Sequence, residues 1–208
     1  DLKVANVPFI RPVNKGERAL GWEDVAYVDI DRGYERGGSA IVDLVFGDKN
    51  PCGKLAETYP YQNESCSAAK LFPMGPQYVE YRESIFVGYR WYDSAKIDVR
   101  FPFGYGLSYT TFAYSGLACQ PEVTTGQKVE VSVKVKNTGK REGDEVVQLY
   151  VAHPQDGQTI RPIRSLKGFR RVHLQAGEER EVRFTLTPED LALCDRKGNL
   201  VQQAGNVS

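Results

Sequence analysis

A mostly β chain ending in a two-layer β unit is the fold class the sequence predicts, on three observations. From about residue 117 onward, short runs of alternating apolar and polar residues are separated by turn residues. Ahead of them, one segment near residue 40 carries apolar residues at helical spacing. Between the two lies a stretch unusually dense in aromatic and charged residues.

Taken in order, AYVDI at 26–30 reads as a strand. In 37–46, Ala40, Ile41, Leu44 and Val45 recur at helical spacing, and Gly47 is a C-terminal stop. Asn50-Pro51-Cys52-Gly53 is a turn, and 54–59 a short strand. Residues 62–98 hold Tyr78, Tyr81, Phe86, Tyr89, Trp91 and Tyr92 among Glu80, Arg82, Glu83 and Arg90. In FPFGYGLSYTTFAY, aromatics are spaced by Pro102, Gly104 and Gly106. One helix and one strand cannot make a two-layer domain, so residues 1–116 read as the tail end of something larger.

The second half has a different pattern. Val129, Val131, Val133 and Val135 alternate with Glu130, Ser132, Lys134 and Lys136, the period of a half-buried strand. Asn137-Thr138-Gly139 turns the chain, and EVVQLYV follows with Val147, Leu149 and Val151 on one face. A third run, 166–174, carries Phe169 and Val172. After the turn at 175–178, EVRFTLT puts Val182, Phe184 and Leu186 on one side. Thr187-Pro188-Glu189-Asp190 is a helix-start signal followed by only about one turn. Strands this short, each with one apolar face, predict a β-sandwich of the immunoglobulin or fibronectin kind.

The 208 residues suit one or two domains. Lys plus Arg number 27 and Asp plus Glu number 27, spread over both halves, so neither half has the basic footprint of a nucleic-acid binder or a polybasic membrane anchor. No apolar run approaches the roughly 20 residues that span a bilayer. The first residues lack an apolar signal-peptide core, which decides little because Asp1 need not be where the gene begins. Cys52, Cys66, Cys119 and Cys194 form no closely spaced pair, and His153 and His173 are the only histidines, so no metal site is expected. Buried thiols are the favoured reading, with a Cys52–Cys66 disulfide geometrically conceivable. Asn63-Glu64-Ser65 and Asn206-Val207-Ser208 fit the N-glycosylation pattern, which arises often by chance.

Catalytic constellations are sparse. No phosphate-cradling loop is present, and Gly104-Tyr105-Gly106 reads as a tight turn. Neither histidine sits where a strand-turn-helix would expose a nucleophile: His153 closes a strand and His173 lies within one. Asp144 and Glu145 are adjacent in a strand, point to opposite faces and cannot flank one bond. Glu80 and Glu83 bracket Arg82 as in a salt-bridged surface, and Glu178, Glu179 and Glu181 are solvated at a turn. Arg161, Arg164, Lys167, Arg170 and Arg171 read as a solvated sandwich face. The aromatic cluster between Tyr78 and Tyr114 has two readings, a seam joining two domains or a surface on which sugar rings stack; the interleaved Arg and Glu favour the seam.

The segments GGSAIVDLVFGDKNPCGKLAETYP (37–60), VEYRESIFVGYRWYD (79–93) and FPFGYGLSYTTFAYSGL (101–117) resemble, in this order, the C-terminal part of glycoside hydrolase family 3. GDEVVQLYVAHP (143–154), RPIRSLKGFRRVHLQAGE (161–178) and FTLTPEDLALCD (184–195) resemble that family's fibronectin-III-like domain. The resemblance implies a fibronectin-III/immunoglobulin-like β-sandwich (117–208) preceded by an aromatic linking segment (76–116) and the C-terminal remnant of an α/β sandwich domain (1–75). It implies a β-glucosidase-like parent whose barrel carries an aspartate nucleophile and whose α/β sandwich carries a glutamate acid/base, two carboxyls about 5–5.5 Å apart in a retaining enzyme. Neither segment matches any part of these residues, so no residue inherits a catalytic, cofactor or metal role. This portion is expected to be scaffold, inactive alone, its partners being the barrel and the rest of the α/β sandwich, possibly on a separate chain. The expected seam against the barrel is Arg82, Glu83, Arg90 and Trp91. A non-catalytic carbohydrate- or protein-binding module is the alternative. Cys52 departs from the small hydroxylated residue of many relatives, residues 1–21 match nothing in the family, and 22–36 follow it loosely. The sandwich is expected to lack its last strand and to present an open edge.

Overall fold

A computed structural model of the chain describes residues 4–6, 28–30, 37–70, 72, 78–155 and 159–208. Five strands make the sandwich. One sheet has the order β5 (Phe112–Cys119), β6 (Val129–Asn137), β9 (Glu179–Leu186), and the other pairs β7 (Gly143–Val151) with β8 (Ser165–Leu174), all antiparallel. The alternation in the sequence becomes the core. Val131, Val135, Val147, Val151, Leu174, Val182, Phe184 and Leu186 are buried against one another, with Val129, Val133, Leu149 and Val172 packed at their margin. Each such side chain contributes about 1.5–3 kcal/mol by leaving water. Gly168 lets the sheets approach on one flank, since a Cβ there would lie 3.1 Å from the Phe184 ring. Phe169 faces outward, 69 % exposed, because it alternates with the inward Val172 and Leu174.

The turn residues behave as their chemistry dictates, with two additions. Gly177 takes φ +79° in the 175–178 turn. Asn137 is a fully buried strand end as well as a turn residue. Thr187–Asp190 stays a turn: the Asp190 carboxylate accepts from the Thr187 N–H and hydroxyl, both at 2.8 Å, and those bonds hold its pKa below the ordinary value. A short hairpin, β10 (Leu193–Cys194) with β11 (Leu200–Val201), follows.

The first half is a looser set of elements: β1 (Val4–Asn6) paired antiparallel with β2 (Val28–Ile30), α1 (Gly37–Val45), β3 (Tyr59–Pro60), α2 (Tyr89–Ala95) and β4 (Val99–Phe101). The expected strand at 26–30 is present over 28–30, its first two residues lying outside the described ones. The helix predicted at 37–46 forms and stops at Gly47, φ +82°. Its apolar stripe is only half used. Ala40 and Leu44 are buried, whereas Ile41, Val42, Val45 and Phe46 are exposed, Phe46 by 77 %. The strand expected at 54–59 shrinks to Tyr59–Pro60, because Leu55 instead exchanges backbone bonds with the 102–106 turn: Leu55 N to Tyr105 O and Gly104 N to Leu55 O, both 2.8 Å. Helix α2 was not predicted. Lys96, left-handed at φ +54°, ends it, with Ile97 N donating to Tyr92 O at 3.0 Å.

All four cysteines are free thiols; Cys52 and Cys66 are half-buried, whereas Cys119 and Cys194 are exposed rather than buried. Among the described residues no helix is long and apolar enough to cross a membrane.

Candidate functional site at the junction of the two halves

Polar side chains first lock the loops around the start of β7. Asn50 Oδ1 accepts from Ser108 Oγ (3.1 Å) and Tyr109 N (2.8 Å), while its Nδ2 donates to Glu142 O (3.0 Å). Thr110 Oγ1 donates to Asn137 Oδ1 (2.6 Å), and Asn137 Nδ2 donates to Arg141 O (2.7 Å) and Leu174 O (3.1 Å). Gly143 admits this crowding, since a Cβ there would meet Asn50 Nδ2 at 2.6 Å and Thr110 Cγ2 at 2.8 Å. The C-terminal end of α1 and the turn that follows it are bonded from the same loops. Tyr109 OH donates to Leu44 O at 2.6 Å, and Arg141, its guanidinium over the Tyr109 ring, donates to Gly47 O. A cation at this helix end also complements the dipole.

Two ion-pair groups extend the junction along the β7–β8 sheet. Lys54 Nζ pairs with Glu145 at 3.2 Å, and Tyr114 OH donates to the same carboxylate at 3.1 Å. Asp144 accepts from Arg171 Nε at 2.7 Å and sits 2.6 Å from His173 Nδ1; Arg171 reaches on to Cys52 Sγ. Burial by itself raises the Asp144 pKa, but the hydrogen bonds and charge of His173 and Arg171 outweigh it and hold the carboxyl below its ordinary 3.8. Burial pushes the Cys52 thiol up, despite Arg171 beside it. A depressed carboxyl stabilises the fold above its unfolded pKa and loses that contribution as pH falls through the folded value. Asp144→Asn is therefore expected to cost about 1 kcal/mol at pH 7, kept small by the exposure of Arg171, and to flatten the decline in melting temperature below about pH 4. Thermal melts from pH 7 to 3 measure both.

The third group is aromatic. Tyr89, on the first turn of α2, packs on Phe103 (5.1 Å between centroids) and edge-on against Tyr150 of β7 (5.7 Å), and its hydroxyl accepts from Leu166 N of β8 at 2.9 Å. Arg164 lies over the Tyr150 ring and pairs with Asp93 of α2 at 2.8 Å. Arg164 and Arg171, expected on a solvated face, are exposed, and each also has an acceptor: Arg164 reaches Asp93 of the first half, while Arg171 pairs with Asp144 across β7 and β8 and touches the first half only through Cys52.

The remaining sequence candidates separate. Arg82 pairs with Glu80 on the surface, both about half exposed. Trp91 donates its indole N–H to Ser65 O at 2.9 Å, a bond within the first half. The Arg90 guanidinium covers the Tyr89 ring, and its Nε is buried with no hydrogen-bond partner among the described residues. Of the aromatic cluster, Tyr89, Tyr92, Phe101, Phe103 and Tyr105 pack inward, while Tyr78 and Tyr81 are 77 % and 84 % exposed. His153 is half-buried, its pKa lowered by burial, Arg161 and Lys167. Cavities of about 50 Å³ at Tyr89–Tyr150 and about 170 Å³ beside His153 are smaller than the roughly 300 Å³ at which ligand pockets begin. Asp144, Asp190, Asp195, Glu178 and Glu181 all have lowered pKa values, opposite to what a general acid needs. These bonds and ring contacts join the sandwich to the elements of the first half.

The strands of the second half form a fibronectin-type sandwich, packed against a short α/β set of elements in the first half. Residues 22–109 match the glycosyl hydrolase family 3 C-terminal domain and residues 145–208 the fibronectin type III-like domain. The chain belongs to glycoside hydrolase family 3, as part of its C-terminal region. It is 45 % identical over 166 residues to beta-glucosidase BoGH3A of Bacteroides ovatus, covering 77 % of this chain and 22 % of that protein. It is 48 % identical over 150 residues to thermostable beta-glucosidase B of Acetivibrio thermocellus, covering 72 % and 20 %. The solved GH3 beta-glucosidase of Bifidobacterium adolescentis superposes with a TM-score of 0.76 at 38 % identity, over 82 % of this chain and 25 % of that one. The chain thus spans about a fifth to a quarter of the proteins it matches.

Proposed function

We propose that this chain is the C-terminal scaffold of a retaining β-glycosidase, β-glucosidase-like, that hydrolyses terminal β-linked sugars, and that it is inactive alone. The observation that carries this reading is the partial match: similar beta-glucosidases are covered over only 20–25 % of their length. Two structural features support it. The junction packs the sandwich against elements that are themselves half covered, and α1 leaves Ile41, Val42, Val45 and Phe46 exposed. Arg90 Nε and Ser94 Oγ, buried without partners among the described residues, are suited to acceptors on a neighbouring unit. That neighbour is the barrel and the rest of the α/β sandwich, on the same or a separate chain, which supply the nucleophile and acid/base. Arg82, Glu83, Arg90 and Trp91 form the seam against it. The divisions 1–75, 76–116 and 117–208 are the units of this scaffold.

A shift of about 1 Å at a reacting centre can cost on the order of 100-fold in rate. Trp91→Ala in the complete enzyme is therefore expected to lower melting temperature and activity together. A variant with lowered activity but an unchanged melting temperature contradicts the seam.

The exposure of Tyr78 and Tyr81 favours a second reading, a non-catalytic module that stacks on polysaccharide. Retention of the chain on insoluble cellulose or xylan, lost in Tyr78→Ala/Tyr81→Ala, is its test; free flow-through leaves the scaffold reading.

A further inference from the structure

The cavity of about 50 Å³ at the junction is too small for an organic ligand, but its walls are not uniform. It lies where α2 and β4 of the first half meet Tyr150 of β7. Val99, Pro102 and Phe103 give it apolar sides. A cavity lined only by such groups stays dry. Here three polar side chains, Thr58, Asp93 and Arg164, also line it.

Thr58, the residue before β3, carries the main constraint. Its Oγ1 is buried and has no hydrogen-bond partner among the described residues. A hydroxyl left unpaired in the interior is costly, and nearly all such groups find protein or ordered water. The hydroxyls around the cavity are turned elsewhere. Tyr150 OH donates to Gln148 Oε1 at 2.6 Å, Tyr92 OH donates to Cys66 Sγ at 3.4 Å, and Tyr89 OH accepts from Leu166 N at 2.9 Å. Asp93 takes the Arg164 Nε–H on Oδ2 at 2.8 Å, which leaves Oδ1 for a further donor. A water needs two to four polar partners and roughly 10–15 Å³ of such space. The cavity meets both requirements.

We propose that this cavity is an internal hydration site, in which an ordered water bonds the Thr58 hydroxyl and the Asp93 carboxylate. The water links the segment ahead of β3 to α2. Asp93 is then held on two sides, by the water and by Arg164 of the sandwich, so the water is part of the contact that joins the two halves. A bridge of this kind is enthalpically close to a direct hydrogen bond. The walls select a neutral occupant: the one carboxylate already faces a guanidinium, which leaves no net charge for an ion to balance.

Thr58→Val in the full chain separates a wet cavity from a dry one by the sign of its effect. Valine keeps the shape of the side chain and removes the hydroxyl. With the water in place, the substitution deletes one of its bonds. The melting temperature is then expected to fall by about 2–4 °C, the effect of one hydrogen bond in a chain of this size. In a dry cavity the same change removes an unpaired buried hydroxyl, and the melting temperature rises. A crystal structure of the unsubstituted chain gives a second reading that does not depend on how the variant folds. It is expected to show an ordered water within about 3.2 Å of Thr58 Oγ1 and of an Asp93 carboxylate oxygen. A melting temperature unchanged or raised in Thr58→Val overturns the proposal. So does a crystal structure in which the cavity is empty or the Thr58 hydroxyl bonds a protein group directly.

Discussion

Replacing Asn137 with alanine is expected to cost the fold about 3 kcal/mol, the larger end of single-residue effects. The side chain is fully buried and every polar valence is used. It accepts from Thr110 Oγ1 and Gly139 N and donates to Arg141 O and Leu174 O. Truncation strands four groups at once, in a place where the residues around it, Thr110 and Leu174, are themselves buried. For a chain of this size such a loss lowers the melting temperature by about 6–12 °C. Asn137→Asp separates chemistry from volume. At pH 7 a carboxylate oxygen faces two carbonyls in place of the amide that bonded them, so the variant is expected to be at least as unstable as alanine. The folded-state pKa of that carboxyl is raised above its unfolded value, since burial and two carbonyls disfavour its charge. The variant is therefore expected to regain stability relative to wild type as pH falls from 7 toward about 4.5. Melts of both variants at these two values provide the check; an alanine variant within about 1 kcal/mol of wild type contradicts the assignment.

Tyr89→Ala is expected to be the most damaging change at the junction itself, by about 2–3 kcal/mol. It removes the ring that touches both Phe103 and Tyr150 and deprives Leu166 N of its acceptor. Tyr89→Phe keeps the ring and loses only the acceptor, an expected cost of about 1 kcal/mol. The two variants also differ in kind. With the aromatic bridge gone, the sandwich retains its own core of valines, leucines and Phe184, whereas the first half retains few buried residues of its own. Calorimetry is thus expected to show one transition in the wild type and in Tyr89→Phe, and two in Tyr89→Ala. A single transition in all three, unchanged in midpoint, contradicts the bridge.

How far these features were legible follows from the range of the interactions behind them. The strand carrying Val129 to Val135 and the run Val147, Leu149, Val151 were readable because their periodicity is a local record of which face is buried. Asn137 was readable only as a turn residue: nothing in Asn-Thr-Gly signals that its amide reaches Leu174. Helix α2 left no periodic trace, being seven residues long, rich in aromatics of modest helix propensity and opened by Gly88 at φ +56°. In α1 the pattern gave the helix but overstated its buried face, since Ile41 and Val45 have no neighbour among the described residues to cover them. The junction was the least legible part. Lys54 and Glu145 are 91 residues apart and Arg164 and Asp93 are 71 apart, so no spacing rule links them. The resemblance to family 3 supplied the location of the sandwich; it could not supply which arginines tie the halves together.

The proposed function places bond cleavage in a catalytic unit outside these residues. The most direct measurement is hydrolysis of an aryl β-glucoside by the purified 208-residue chain, beside a complete family-3 beta-glucosidase of the kind it matches. The account predicts release of the aryl group by the chain alone at the uncatalysed background and turnover only when the barrel is present. Turnover by the chain alone in the range of ordinary enzymes, about 1–1,000 per second, would contradict it.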